Sequence, residues 1–277
     1  MTSINTNINA LRATNALTRN GSAQQETMQQ LSTGKRINRA SDDAAGLAIR
    51  ETMTAQITGL NTAIRNANDG ISLLQTADGA LSETSSLLQR MRELAVLAVN
   101  DTYSSTQKTA MSSEYVALSS QINQIAANTQ FNGMDLLTGS GGVGGGTGSF
   151  VFQIGANTTQ TMAVAIVSQT LSLFGLQGTT IATAASATSN IALLDTALTT
   201  LNTQRSTIGA AVNRLSHALD NLANVAANAT ESRSKVEDTD YATATSDLAR
   251  QQIIAQAATA ILAQANQQPQ YVLSLLK

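Results

Sequence analysis

The chain contains no cysteine, a single proline and few aromatic residues. Without cysteine it can have no disulfide framework, no thiolate zinc site and no cysteine nucleophile. Because Pro269 is the only proline, almost nothing in the sequence interrupts long helices. Four Phe, four Tyr and no Trp leave the apolar content to Ala, Leu, Ile and Val. This composition predicts long helices packed side by side.

Charge and long apolar runs are also scarce. The 16 basic and 18 acidic residues give a net charge of −2, so the basic face that nucleic acid requires is missing. No apolar stretch approaches the ~18 residues of a membrane span, and residues 1–7 lack the features of a cleaved signal peptide. We therefore expect no nucleic-acid partner, no membrane insertion, and either a cytoplasmic chain or export without a cleavable signal.

The clearest positive signal is a heptad seam in the C-terminal half. Apolar residues recur at steps of three and four from Ile191 to Ala229, and Arg205 is the one polar member. A repeat of 3.5 residues sustained over this length is typical of a left-handed coiled coil. The pattern therefore predicts one long helix whose seam faces other helices.

The N-terminal half carries partners for this helix. The same alternation runs from Met53 to Met91, with a local break in the apolar pattern near Asp78-Gly79. It predicts a helix over about residues 47–99, roughly 80 Å long at 1.5 Å per residue. A shorter helix is predicted over residues 107–128. Three such helices from distant parts of the chain can bury their seams against one another.

The middle of the chain has a different character. Residues 139–148 are rich in glycine and predict a flexible turn region. The runs Phe150–Ile154 and Thr161–Val167 predict two strands of a β-hairpin. From Gln169 to Asn190 the sequence is small and polar, and we expect a loop that leads into the long helix.

Both ends of the chain carry narrow apolar stripes in Asn-, Gln- and Thr-rich sequence. Such stripes cannot offset the ~1–2 kcal/mol per residue of backbone ordering. We therefore expect the ends to be disordered in the free chain and to fold against other copies. The residues expected at this polymerisation interface are Ile4, Ile8, Leu11, Leu31, Ile254, Ile261, Leu262, Val272, Leu273, Leu275 and Leu276.

Several motifs, in order along the chain, closely resemble those of bacterial flagellin. They are Ile4-Asn-Thr-Asn7, Leu31-Ser-Thr-Gly-Lys-Arg-Ile-Asn38, Ala40-Ser-Asp-Asp-Ala-Ala-Gly46, Asn66-Ala-Asn-Asp-Gly-Ile-Ser-Leu73, Arg90-Met-Arg-Glu-Leu-Ala-Val96, Phe131-Asn-Gly133, Phe152-Gln-Ile-Gly-Ala-Asn157 and Pro269-Gln-Tyr-Val-Leu-Ser-Leu-Leu276. The resemblance covers about residues 1–138, 150–167 and 191–277, which makes a chance match very unlikely.

The resemblance implies a mainly α fold. It is a long coiled-coil helical bundle with a small β-hairpin, and the termini pair as a coiled coil in the filament core. Residues 1–45 and 235–277 would form this core layer, and residues 46–138 and 191–234 the bundle layer. Residues 139–190 would hold the glycine-rich loop, the hairpin and a connecting loop. No room is left for an outer domain.

The resemblance also implies a function. The chain would be a structural subunit, not an enzyme, that self-polymerises into the bacterial flagellar filament for swimming motility. It would be secreted by type III export and would need no cofactor or metal. Its partners would be other copies, an export chaperone, and the filament cap and hook-junction proteins. The alternative is a hook–filament junction protein, which shares flagellin's helical ends; the uninterrupted match of both termini and the hairpin favour the filament subunit.

By the same resemblance, Arg90, Leu94 and Glu114 match positions that a vertebrate flagellin-sensing Toll-like receptor contacts. The competing interpretation is that Arg90 and Glu114 make intrahelical or subunit–subunit ion pairs. The C-terminal leucines match residues that cytosolic innate sensors recognise, although packing in the filament core is their expected main role. Host receptors are therefore expected partners.

Three further features have simpler explanations. His217, the only histidine, lies off the heptad seam and is expected to face solvent. The pair Asp42-Asp43 has no spaced acidic loop after it, so we expect loop or helix capping and not calcium binding. Residues 141–148 lack the Gly-Lys-Ser/Thr of a phosphate loop and are expected to be a linker.

Overall fold

The computed structural model describes residues 6–141 and 148–274, with side chains as far as Gln267. These residues form five helices and four short strands. In chain order they are α1 (Ile8–Thr33), α2 (Ala44–Val99), α3 (Ser105–Asn128), β1 (Gln130–Phe131), β2 (Met134–Asp135), β3 (Ser149–Gln153), β4 (Thr161–Ala165), α4 (Ala184–Glu237) and α5 (Tyr241–Ser274). The predicted fold class, mainly α with a small β-hairpin, is confirmed.

The chain divides into two compact units, which are described separately below. The terminal unit comprises Met1–Gln56 and Asn228–Lys277. The bundle unit comprises Ile57–Ala227. Among the residues that the structure describes, no helix combines the length and the apolar character needed to cross a membrane.

In the bundle unit, the heptad seam of α4 is buried unevenly. One position of each heptad is fully buried; these residues are Leu194, Leu201, Ile208 and Leu215, all at most 1% exposed. The other apolar position is only half-buried, as at Leu198 and Val212. A third stripe, formed by Ala197, Gln204 and Ala211, is buried instead. The predicted seam exists, but the buried face of α4 is centred between the fully buried position and the third stripe, and not between the two apolar heptad positions.

Two ion pairs connect α2 and α4 within the bundle unit. Arg205 Nε lies 2.8 Å from Asp78 Oδ1, and Arg92 Nε lies 2.6 Å from Asp195 Oδ1. Their order shows that the two helices run antiparallel. The apolar alternation is interrupted near Asp78-Gly79, and α2 runs through this point, as predicted for a single helix over about residues 47–99. Asp78 is therefore the partner of the one polar seam residue, and such a polar pair favours a single register.

The segment between β4 and α4 is more ordered than the sequence predicts. The predicted loop extends to Asn190, whereas α4 already begins at Ala184. Ser112 and Asn123 of α3 accept hydrogen bonds from backbone amides of this segment, at 3.3 and 3.2 Å. Buried amides need such partners. The segment also contributes side chains to the core, and these are Ile166, Leu171, Phe174, Leu176 and Ile181.

The predicted hairpin is formed by β3 and β4, which pair antiparallel with Phe150 opposite Val164. Two glycines of α2 allow the hairpin to approach this helix closely. A Cβ atom at Gly70 would lie 3.0 Å from the ring of Phe152, and one at Gly59 would lie 3.1 Å from Ala156 Cβ. Absence of a side chain at these two positions therefore allows the hairpin to contact the helix backbone.

Acidic side chains cap the helix starts of the terminal unit. Asp43 Oδ1 accepts from the amide of Gly46 at 2.9 Å in the first turn of α2, and Asp42 accepts from the backbone of the preceding turn. The predicted capping role of this pair is confirmed. Asp240 caps α5 in the same way, and the hydrogen bond from the Thr243 hydroxyl holds the pKa of Asp240 below its usual value.

Candidate assembly interface of the terminal helices

Helices α1 and α5 pack against each other along a seam that consists mostly of small and polar residues. Residues of reduced exposure repeat at steps of three and four on both helices. They are Ala10, Ala13, Leu17, Asn20, Gln24, Thr27 and Leu31 on α1, and Ala244, Leu248, Gln251, Ala255, Ala258, Leu262 and Ala265 on α5. Heptad spacing of this kind is that of a two-helix coiled coil.

Polar side chains fix the register of this helix pair. Asn20 Nδ2 donates to the carbonyl of Gln251 at 2.8 Å, and Gln251 Nε2 donates to Thr27 Oγ1 at 3.1 Å. At the other end, Asn7 Nδ2 donates to the carbonyl of Ala265 at 2.8 Å. A shift of one helix along the other would leave these polar groups without partners, which costs about 1–3 kcal/mol for each buried group.

Several large apolar side chains of the two helices lie outside this seam. Ile8 and Leu11 are 49% and 58% exposed, and Ile254 and Ile261 are 46% and 59% exposed. We call these four residues the outer stripe. The seam itself has only four leucines among its fourteen residues, and at least as many large apolar side chains are left outside it. A helix pair that is stable alone would bury more of them, because burial of each Leu or Ile contributes about 1.5–3 kcal/mol.

A groove of about 450 Å³ runs beside the seam. Ala13 and Ala16 line it from α1, and Ala258 and Ile261 line it from α5. Arg12 is the one charged residue of its lining. The groove is therefore wide enough and apolar enough to receive a side chain from another helix.

The eleven predicted interface residues fall into three groups. Ile8, Leu11, Ile254 and Ile261 face outward, as an interface requires. Leu31 and Leu262 instead belong to the seam within the chain and are half-buried. Ile4, Leu275 and Leu276 lie outside the described residues, and so do the side chains of Val272 and Leu273.

The predicted interface omits outward apolar residues of both helices, namely Met28, which is 53% exposed, and Ile253, which is 66% exposed. The signal for Ile253 is the adjacent pair Ile253-Ile254, because two successive apolar residues on a helix cannot both belong to one narrow seam.

The predicted receptor-contact residues lie in the bundle unit. Arg90 Nε and Nη2 donate to Glu114 Oε1 at 3.0 and 2.9 Å, and Arg90 Nη1 donates to Glu93 at 3.0 Å. The hydrogen bond to Glu114 is the largest cause that raises the pKa of Arg90. Arg90 and Glu114 are half-exposed, whereas Leu94 is only 2% exposed. Leu94 lies in the core and offers little free surface, and its receptor contact stays a prediction.

His217 is exposed on α4, as the sequence predicts. Throughout residues 6–141 and 148–274, no three His, Asp or Glu side chains are grouped closely enough to hold a metal ion.

Comparison with known proteins identifies the family. The family model of the bacterial flagellin N-terminal helical region matches residues 4–141. The model of the bacterial flagellin C-terminal helical region matches residues 191–276. The chain belongs to the bacterial flagellin family. Between the two flagellin regions lie only the hairpin and the connecting segment, so this flagellin is a short form without an outer variable domain.

Individual flagellins resemble the chain along its whole length. It is 42% identical over 302 residues to flagellin of Bacillus subtilis (strain 168), with 99% of both chains covered. It is 40% identical over 282 residues to the flagellar filament 30.7 kDa core protein of Treponema maltophilum, again with 99% of both covered. The crystal structure of Bacillus cereus flagellin is 36% identical to this chain, with a TM-score of 0.52. The matched region covers 57% of this chain and 88% of the Bacillus cereus chain.

The predicted identity and function are confirmed at this level: the chain is a structural subunit of the flagellin type. The relatives described above are flagellins and a filament core protein. None of these matches favours the alternative of a hook–filament junction protein.

Proposed function

We propose that the chain builds a flagellar filament by burying the outer stripe of α1 and α5 against neighbouring copies. The observation that supports this mechanism is the distribution of side chains in the helix pair. Ten of the fourteen seam residues are Ala, Asn, Thr or Gln, whereas Ile8, Leu11, Ile254 and Ile261 are about half-exposed. Contact with other copies would remove these four side chains from water.

The same distribution supports disorder of the ends in a free subunit. A seam with four leucines among fourteen residues offers little apolar area, and ordering a residue costs ~1–2 kcal/mol. Residues 1–45 and 235–277 would therefore fold on addition to the filament, as coupled folding and binding. They would form the core layer, with residues 46–138 and 191–234 in the bundle layer and residues 139–190 in its hairpin and loops. Contacts between unlike surfaces generate an open helix.

The filament would act mechanically, so the chain would catalyse no reaction. The subunit would leave the cell by type III export and act outside it, in the bacterial flagellum. An export chaperone, the filament cap and the hook-junction proteins would be its partners on this route. Swimming motility would follow from rotation of the assembled tube.

Assembly of the purified protein tests this proposal. At high salt the full chain is expected to form tubes that electron microscopy detects. A variant that lacks residues 247–277 is expected to form none, because it loses Ile254, Ile261 and the seam partners of α1. Thermal unfolding of the truncated variant should still show the bundle unit intact. Tubes from the truncated variant at the concentration sufficient for the full chain would refute the mechanism.

A second proposal is recognition by a flagellin-sensing Toll-like receptor. Its supporting observation is that Arg90 and Glu114 are both half-exposed and already paired, so a receptor would meet an ordered charged surface. We expect Arg90→Ala to weaken binding to the receptor ectodomain about tenfold or more, since a hydrogen bond to a charged group contributes about 1.5–3 kcal/mol.

Arg92→Ala is the matched control for this measurement. Arg92 lies on the same helix, is 45% exposed and pairs with Asp195. In a titration of the receptor ectodomain with monomeric subunit, this control is expected to bind as the wild type does. Equal affinities of the two alanine variants would count against the Arg90 surface.

A further inference from the structure

A buried carboxylate lies between the α1–α2 and α4–α5 connections of the terminal unit. Glu237, the last residue of α4, is 5% exposed. Lys35 Nζ lies 2.5 Å from its Oε1, Arg50 Nη1 lies 3.6 Å from Oε1, and Arg233 Nε lies 3.8 Å from Oε2. The three cations come from three different segments: the connection after α1, the first part of α2, and α4 one turn before Glu237.

Backbone hydrogen bonds join the same two connections. The amide of Arg36 donates to the carbonyl of Glu237 at 2.7 Å, and the amide of Thr239 donates to the carbonyl of Gly34 at 3.0 Å. Arg36 Nη2 also donates to the carbonyl of Val236 at 2.8 Å. These contacts satisfy carbonyls that the end of a helix leaves without partners. Cations at that end also interact favourably with the helix dipole.

We call these ion pairs of Glu237 and the backbone hydrogen bonds between the two connections the joint. The joint determines where the terminal helix pair begins. Helix α1 ends at Thr33 and α5 begins at Tyr241, so the joint holds the two helix ends side by side. The first contact beyond it is the Tyr241 hydroxyl, which donates to the carbonyl of Leu31 at 3.2 Å. Fixing the ends of two weakly interacting helices raises the effective concentration of one for the other. Pairing would therefore start at the joint, in one register.

Burial of the charged Glu237 side chain is explained if this residue fixes the register of the helix pair. Removing a carboxylate from water costs several kcal/mol, which its partners do no more than offset. The best-attested use of a buried charge is to select one arrangement among several. We propose that Glu237 is a positioning residue for filament assembly: it holds the two connections together so that α1 and α5 order in a single register. This inference rests on the proposed assembly function.

The isosteric substitution Glu237→Gln tests the role of the charge. We expect it to raise the critical concentration for seeded filament growth about tenfold or more, while the melting temperature of the bundle unit stays within about 2 °C. Glu231→Gln is the matched control, because Glu231 pairs with Lys235 on the surface of the same helix and both side chains are more than 60% exposed. The control is expected to grow as the wild type does.

A second readout separates register from stability. The chain has no cysteine, so cysteines introduced at Ala13 and Ala258 would be the only thiols. Both positions belong to the α1–α5 seam and line the same groove in the observed register, and neither side chain takes part in the hydrogen bonds that fix this register. In filaments of the double-cysteine chain, a short bis-maleimide is expected to link the pair efficiently, and adding Glu237→Gln should lower the yield at least threefold.

The possible outcomes separate this inference from the proposed function. Failure of the wild-type chain to form filaments would contradict the proposed function itself. Wild-type growth with unchanged growth and cross-linking of the Glu237→Gln chain would overturn the positioning role alone. A large fall in the melting temperature of the bundle unit that accompanies the loss of growth would also overturn it. The substitution would then act by general destabilisation.

Discussion

Replacing Ile254 and Ile261 together by Asp is expected to abolish filament growth and leave the free subunit folded. The two residues lie seven positions apart on one face of α5 and are 46% and 59% exposed. The free chain therefore loses little when they change. In the filament, each lost isoleucine removes about 1.5–3 kcal/mol of burial, and each new carboxylate adds a further penalty for leaving water. We expect the critical concentration to rise at least a hundredfold.

Sedimentation of filaments over a concentration series measures this effect directly. The conservative variant in which both isoleucines become Val is the control, because it keeps the apolar surface and loses one methylene group at each site. It is expected to assemble within a fewfold of the wild-type concentration. If the aspartate chain elongated seeds as the valine chain does, the outer stripe would not be the assembly surface.

The sequence predicts that the terminal helices form an interface, but it does not separate their two faces. Ile261 and Leu262 are adjacent and equally apolar, yet Ile261 faces outward and Leu262 belongs to the seam with α1. The seam consists largely of Ala, Asn, Gln and Thr, which a search for apolar periodicity passes over. Only the position of the partner helix, through contacts such as Asn20 with Gln251, decides between the faces.

In the bundle unit, the local pattern fails where a distant partner decides the structure. The apolar alternation of α2 is interrupted near Asp78-Gly79, and the pattern does not reveal that Asp78 pairs with Arg205, 127 positions later in the chain. The segment before α4 is predicted as a loop because its residues are small and polar. Its order depends on hydrogen-bond acceptors on α3, Ser112 and Asn123, which no local pattern in the segment reveals.

The resemblance to flagellin has a similar limit at Leu94. A motif identifies a position along the chain but not the direction of its side chain. Arg90 and Leu94 lie four residues apart on α2, yet Arg90 is half-exposed and Leu94 is buried. Burial depends on where α3 and α4 cross this helix, which the motif does not contain.

The uneven burial of the α4 seam gives the second large prediction, for stability. Leu201 is 0% exposed, whereas Leu198 is half-buried. Leu201→Ala would remove buried methyl groups and leave a cavity, which typically costs 2–5 kcal/mol. We expect a loss of about 3 kcal/mol in the free energy of unfolding of the bundle unit, which corresponds to a fall of roughly 6–12 °C in its melting temperature.

Leu198→Ala is the matched substitution, and we expect it to cost about 1 kcal/mol because water already reaches part of its side chain. Urea unfolding of the free subunit, monitored by circular dichroism, measures the free energy of unfolding of both alanine variants. The two folded variants are expected to have the same helix content. In the sequence both leucines are apolar members of the same heptad repeat, so periodicity alone predicts similar losses. Similar measured losses would mean that the α4 seam is centred between the two positions, and the buried stripe of Ala197, Gln204 and Ala211 would then be wrong. A threefold difference requires the shifted seam, in which Leu201 is fully buried and Leu198 is partly exposed.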